Sequence, residues 1–437
     1  MLIAQSGGPT AVINQSLIGA VLEAKKHPAI KHIYGALHGI QGILDEDLIN
    51  LKRESKTTLE AVAHTPSSAL GSVRRKPTPA DCVTIFRVLA KYNVRYFFYI
   101  GGNDSAETTH IINEEAKKEK YQLRCFHICK TIDNDLRQND HTPGFGSAGK
   151  FVAQAFMGDN LDNVALGGVK INVVMGRHAG FLTAASALAR SDAEDGPHLI
   201  YLPERAFSIP RFIKDVKAVH KKLGRCVVAV SEGIADARGT PIVVKAAASK
   251  EVDAHGNVQL SGTGALGDIL AGEIKNKTSI TRVRADTFGY LQRSFAGCVS
   301  ETDAREAFGV GAAAVKEAIS GNIDGSIAIK RKPGKRYAVE FKRVTLKSVA
   351  KETQHMPDRF INAEGNHITQ AFIDYASPIV GPLPKTGKLK RVTLKSVAKE
   401  TRHMPDRFIN AEGNHVTQAF IDYASPIVGP LPKTGKL

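Results

Sequence analysis

Short apolar runs alternate along the chain with glycine-rich polar turns, and most of these turns lead into stretches whose apolar residues recur at helical spacing. Leu2–Gln5 reads as a strand, followed by Ser6-Gly7-Gly8-Pro9 and a helix from Ala11 to about Lys26. Val94–Ile100 repeats the pattern, with Gly101-Gly102-Asn103-Asp104-Ser105 and a helix to about Lys118. Arg124–Cys129 runs into Lys130-Thr131-Ile132-Asp133-Asn134-Asp135. Val169–Met175 runs into Gly176-Arg177-His178 and a helix to about Ala189, and Cys226–Val230 into Ser231-Glu232-Gly233. This alternation predicts an α/β fold, parallel sheets with helices on both faces. Such sheets bind ligands outside the carboxyl ends of their strands, where all these polar turns fall.

The pattern changes near the end. Lys342–Leu389 recurs as Lys390–Leu437 at an offset of 48, and the copies differ only at Gln354/Arg402 and Ile368/Val416. Solenoid repeats drift apart as each position adapts to its neighbours, so two near-identical copies read as a redundant tail and not a solenoid. The second copy is expected to be loosely held, because docking it would loop out the first.

Composition adds limits. Of 437 residues, 43% are apolar and 23% charged, which suits a globular protein with a large core. No apolar run reaches the roughly 20 residues of a membrane helix, and no signal peptide is expected. Five scattered cysteines without a CxxC pair suggest a reducing, cytoplasmic setting. The net charge of +16 points to anionic partners. Because the basic residues are dispersed, phosphorylated small molecules fit at least as well as nucleic acid, and neither nucleic acid nor membrane is expected as a partner.

Each turn has a plain and a chemical reading. Ser6-Gly7-Gly8-Pro9 is a tight connection or a phosphate-binding turn at a helix start. In Gly101–Ser105, Asp104 or Ser105 is a helix cap or part of a second phosphate turn with an oxygen ligand for Mg²⁺. Lys130–Asp135 is more pointed: two carboxylates, a hydroxyl and an ammonium within six residues suit phosphoryl transfer, although Asp133-Asn134 alone could be an Asx turn. Arg177 could hold a phosphate, whereas His178 reads as a packing residue. Arg284 and Arg293 are surface residues or phosphate ligands. His127 with Cys125 and Cys129 reads as buried strand and not a metal site.

Taken together and in order, SGGPTAVIN, ALGSVRRKP, GGNDS, KTIDND, MGRHAGF, LPE, SEG, ADTFGYLQRS and MPDRFIN resemble the phosphofructokinase family, and specifically its pyrophosphate-dependent bacterial branch, from Leu2 to about Leu389. The resemblance implies two Rossmann-like lobes with the active site in the cleft between them. It assigns residues 1–135 and 255–305 to a phosphoryl-donor lobe, 136–254 and 306–341 to a sugar-phosphate lobe, 342–389 to a family tail and 390–437 to its duplicate. It implies an Mg²⁺-dependent phosphotransferase acting on fructose 6-phosphate. Asp133 would be the base for the sugar 1-hydroxyl, with Thr131 and Asp135 holding the sugar and the metal–phosphate region. Gly7 and Arg74 would contact the donor. Met175, Gly176, Arg177, Glu204, Tyr290 and Arg293 would bind the sugar phosphate, and Arg284 would reach that of a neighbouring subunit in a homodimer or homotetramer.

Donor choice rests on two positions. ATP-using relatives have glycine where this chain has Asp104 and Lys130. A carboxylate at 104 would repel a nucleotide α-phosphate, at a cost on the order of several kcal/mol in a partly desolvated cleft. Lys130 would supply charge to the moving phosphoryl group, so pyrophosphate is the expected donor. ATP as donor and a non-catalytic sugar-phosphate-binding relative are the alternatives, and sedoheptulose 7-phosphate is a second conceivable acceptor. Asn103 stands where many relatives have a metal-binding Asp; its amide oxygen can still ligate, without charge.

Overall fold

The computed structural model describes residues 1–246, 264–334, 336–350, 353–386, 404–409, 411 and 414–428. They fall into two compact units, one built from Met1–Leu383 and the other from Pro384–Lys433.

In the first unit the strands are β1 (Leu2–Gln5), β2 (Tyr34–Ala36), β3 (Leu48–Asn50), β4 (Tyr96–Gly101), β5 (Arg124–Cys129), β6 (Gly168–Val174), β7 (Leu199–Tyr201), β8 (Arg225–Ser231), β9 (Val283–Thr287), β10 (Asp324–Arg331) and β11 (Val339–Val344). One sheet has the order β11-β10-β5-β4-β1-β2-β3, the other β7-β8-β6-β9. The second is parallel throughout. The first is parallel from β10 to β2 and antiparallel only at its rims. Helices cover both of its faces, which explains the unbroken apolar run in β4. Phe98 and Ile100 enter the core on one side with Phe126 of β5, and Phe97 and Tyr99 the core on the other.

The sheets divide the chain differently from the expected segments. β9 lies within 255–305, expected in the donor lobe, yet pairs with β6 at the edge of the second sheet. β10 lies within 306–341, expected in the sugar lobe, yet pairs with β5 because Ile327 and Ile329 complete the core under the first sheet. The expected boundaries at 254/255 and 389/390 lie outside the described residues. The helix expected to reach Ala189 is one α-turn, Phe181–Ala184, continued by a 3-10 turn, Ala185–Ala189.

The first tail copy contributes the end of β11, a 3-10 turn Asp358–Phe360 and the helix Gln370–Val380, whose Phe372, Ala376, Ile379 and Val380 are buried. The second unit holds the matching 3-10 turn Asp406–Phe408 and helix Gln418–Val428, in which no residue is buried.

One buried carboxylate fixes the helix that follows the Lys130–Asp135 turn. The helix Phe145–Leu166 begins after Gly144, which has no capping side chain. Asp303, from the helix Glu301–Ile319, accepts hydrogen bonds from Gly144 N (2.8 Å), Ser147 N (2.8 Å) and Ser147 Oγ (2.6 Å). It thereby serves as a cap supplied from another helix. Asp303→Ala leaves those donors unpaired, and a loss of about 2–4 kcal/mol in denaturant unfolding is expected; an unchanged midpoint would show that the cap contributes nothing.

Candidate active site

The polar turns converge on a cleft of about 530 Å³. Its walls come from the carboxyl ends of β1, β4 and β5 in the first sheet and of β6 and β8 in the second. The volume suits a small ligand, and the lining is rich in groups that bind anions.

At its floor the Ser6-Gly7-Gly8 turn is pinched between two cations. Lys130 Nζ donates to Gly8 O at 2.7 Å. A Cβ on Gly7, whose φ is +74°, would lie 3.2 Å from that ammonium, and one on Gly8 would lie 3.2 Å from the Arg293 guanidinium. The Gly7 backbone conformation itself favours glycine, and at both positions a Cβ would crowd the charged end that approaches the turn. Lys130 is buried, and its pKa falls to about 7, first through burial and then through Arg293, with Asp133 acting in the opposite sense.

Asp133 lies on the same turn. Burial pushes its carboxyl up against the pull of Arg293 and Lys130. Its Oδ1 has no hydrogen-bond partner among the described residues. Asp135 is raised to about 7, by burial and then by Asp133. Two carboxylates pushed apart from ordinary behaviour beside a lysine pushed the other way are what proton transfer near neutral pH calls for.

The loop carrying these groups is clamped along its length. Lys130 N bonds Gly101 O (2.9 Å) and Thr131 N bonds Pro143 O (3.2 Å). Thr131 Oγ1 accepts from Asp133 N (3.1 Å). Asn134 sits at φ +59°, a left-handed conformation that asparagine tolerates. It donates to Tyr375 Oη (2.7 Å), and Tyr375 donates in turn to Asp140 O (2.8 Å). Gln354 N bonds Asp135 O at 2.6 Å. Tyr375 and Gln354 both belong to the first tail copy.

Of the site residues expected from sequence, Gly7, Arg74, Asn103, Asp104, Lys130, Thr131, Asp133, Asp135, Met175, Arg177, Tyr290 and Arg293 line the cleft. Arg293 stacks over Tyr290 at 4.5 Å, and Gln292 Oε1 accepts from Met175 N at 3.3 Å, fastening that turn to β6. Asp104 is at the lip, more than half exposed and paired with Lys76 at 3.1 Å.

Three expected residues do not line it. Gly176 lies between Met175 and Arg177, with φ +139° and no room for a Cβ beside Ala179 O. Glu204 is a brace: its Oε1 accepts from Gly180 N (2.9 Å) and Met356 N (3.1 Å), tying the turn after β6 to the tail. Arg284 is exposed on the edge strand β9 and donates to its own neighbour, Val283 O.

Glu232 lines the cleft at the end of β8, and no site role was read for it. Its signal was the same as for the others, a polar residue just past the carboxyl end of a parallel strand. His178, read as packing, and Thr353, from the tail, also line it. His127 is buried between Ser326 Oγ (2.8 Å) and Gly101 O (2.9 Å), a structural residue as expected.

Asn103 Oδ1 is buried without a hydrogen-bond partner among the described residues and belongs to a side chain lining the cleft, so it fits a cation. No cluster of three or more His, Cys, Asp or Glu forms a metal cage among the described residues. A hard cation here would thus take most of its oxygen ligands from water and substrate phosphates, the usual manner of Mg²⁺.

Removing the Tyr375 hydroxyl takes one hydrogen bond each from Asn134 Nδ2 and Asp140 O, while Asn134 Oδ1 still accepts from Thr142 N. Tyr375→Phe should lower kcat about tenfold and leave KM within about twofold, the pattern of a positioning residue. Equal kcat in the two proteins would show that the clamp is idle.

Residues 1–318 match the family described as Phosphofructokinase. The chain is 58% identical over 381 residues to a pyrophosphate–fructose 6-phosphate 1-phosphotransferase of Rhodospirillum rubrum, covering 87% of this chain and 94% of that protein. It is 38% identical to the protein of the same name from Xanthomonas campestris, covering 87% and 91%. Among solved structures it resembles a pyrophosphate-dependent phosphofructokinase from Nitrosospira multiformis, with TM-score 0.79 and 32% identity over 88% of this chain and 92% of the other. With the glycine turn, the buried lysine and the paired carboxylates meeting in one cleft, the chain belongs to the phosphofructokinase family.

Proposed function

We propose that the protein transfers a phosphoryl group from pyrophosphate to the 1-hydroxyl of fructose 6-phosphate, reversibly, giving fructose 1,6-bisphosphate and phosphate. One observation carries this reading: the buried ammonium of Lys130 at the glycine turn, on the same loop as a buried Asp133 carboxylate oxygen that has no partner among the described residues.

Asp133 takes the proton from the attacking sugar hydroxyl. Lys130, with Arg293 and Arg74, faces the charge that builds on the transferred phosphoryl group and the leaving phosphate, with Lys130 itself buried. Gly7 and Gly8 let the donor reach the backbone. Arg177, Glu232, Tyr290 and Arg293 line the acceptor side. Asn103 would hold Mg²⁺ together with donor oxygens and water, and the ion supplies positive charge to the phosphates when bound. Asp104, itself paired with Lys76, sets negative charge where a nucleotide would extend, which favours pyrophosphate over ATP. The exposed Arg284 fits a contribution to a second subunit, hence a homodimer or homotetramer. A cytoplasmic location accords with five free cysteines and with the lack, among the described residues, of any helix long and apolar enough to cross a membrane.

Turnover of fructose 6-phosphate with Mg²⁺ should occur with pyrophosphate and be at least about tenfold weaker with ATP; preference for ATP would overturn the donor reading. Asp104→Gly should raise kcat/KM for ATP by about tenfold or more, the size of one removed like-charge contact. Asp133→Asn should cut kcat by about 10²–10⁴-fold while pyrophosphate still binds, the range for loss of a general base; near-normal kcat would remove Asp133 from that role.

A further inference from the structure

The two tail copies are nearly the same peptide in two environments. In the first, Phe372, Ala376, Ile379 and Val380 are all 0% exposed. The Ile379 carbonyl accepts from Ser300 Oγ at 2.6 Å, and the Tyr375 carbonyl from Arg331 at 3.0 Å. In the second, the same four positions are Phe420, Ala424, Ile427 and Val428, and none is buried. Ile427 and Val428 are 69% and 64% exposed. An apolar helix face in water is driven toward any groove that fits it.

The second copy already holds the shape that docks. Phe408 lies 5.7 Å from Phe420 and 5.1 Å from Tyr423; in the first copy Phe360 lies 5.6 Å from Phe372 and 5.1 Å from Tyr375. The bridge Ile361–Ile368 recurs as Ile409–Val416. The peptide therefore keeps its fold without the groove, which lowers the ordering cost of entering one. The copies agree at every anchor named and at the tyrosine that clamps the catalytic loop. They differ only at 354/402 and at 368/416, where isoleucine loses one methylene.

We infer that the helix Gln418–Val428 is a second occupant of the groove that holds Gln370–Val380, exchanging with it within one chain. With contacts matched, the two occupancies differ mainly by closure of the 48-residue loop released when the first copy leaves. The three-halves power of that length favours the first copy by roughly 300-fold. The first copy thus holds the groove in the parent chain. Damage that weakens its docking by more than that factor transfers the groove to the second, with Tyr423 in the place of Tyr375.

Phe372→Asp supplies such damage, since it sets a carboxylate where a ring is fully buried. In the full chain, the loss in folding equilibrium should stop near 300-fold, and the protein should stay folded. Hydrogen-exchange protection should move from residues 370–380 to 418–428. The particle mass should match the parent's at every protein concentration. Phe420→Asp alone should melt like the parent, and Phe372→Asp/Phe420→Asp should lose the folded protein. The inference is overturned if Phe372→Asp fares no better than the double variant, or if protection stays on 370–380. It is equally overturned if the rescue raises the mass with concentration, which would mean that the groove is filled by another chain. None of these readouts depends on the identity of the phosphoryl donor.

Discussion

Holding an ammonium ion out of water is the constraint on which the site depends. Lys130 is 3% exposed, and the Arg293 guanidinium approaches the same glycine turn. Burial strips hydration from the ammonium, and the second cation beside it repels it, which together lower the lysine's pKa. The surroundings answer that cost: Gly8 O accepts from the ammonium, Asp133 supplies opposite charge, and Gly7 leaves room for the approach. What remains is a cleft with surplus positive charge at its floor, complementary to a phosphate-rich ligand. Electrostatic groups fixed before the reaction need no rearrangement during it. The clamp from Asn134 through Tyr375 to Asp140 is part of that fixation, and it makes the tail a component of the site.

Much of this was legible in the residues. Strands β1, β4, β5, β6 and β8 could be placed because each ends in a polar turn after an apolar run. Twelve expected site residues line one cleft for the same reason. What failed to show was long-range. No local pattern says that β9 joins the second sheet and β10 the first, since both sheets bury similar aliphatic residues. Glu204 carries the same carboxylate as Glu232, and only the path of the backbone makes one a brace and the other a wall of the cleft. Thr353 and Tyr375 enter from about 220 to 240 residues downstream of the loop they touch, beyond the reach of any periodicity.

The repeat separates sequence from environment. One peptide, Gln370–Val380, has its apolar face in the core; its copy, Gln418–Val428, forms the same helix with that face in water. The contacts within the repeat, Phe408 on Phe420 and Tyr423 among them, accompany the helix in both places, while burial comes from the place in the chain. The first copy begins within β11, and carbonyls of its helix accept from Ser300 and Arg331.

Whether the buried Lys130 must carry its charge for transfer is read from the pH dependence of kcat/KM for pyrophosphate. A lysine whose pKa is lowered to about 7 is charged below that pH and neutral above it, so kcat/KM should fall as pH rises through about 7. Lys130→Arg keeps its charge throughout and should shift that alkaline limb upward by at least about two pH units, whatever its absolute rate. Limbs that coincide in the two proteins would belong to the substrates or to Asp135, itself raised to about 7, and would contradict the assignment to Lys130.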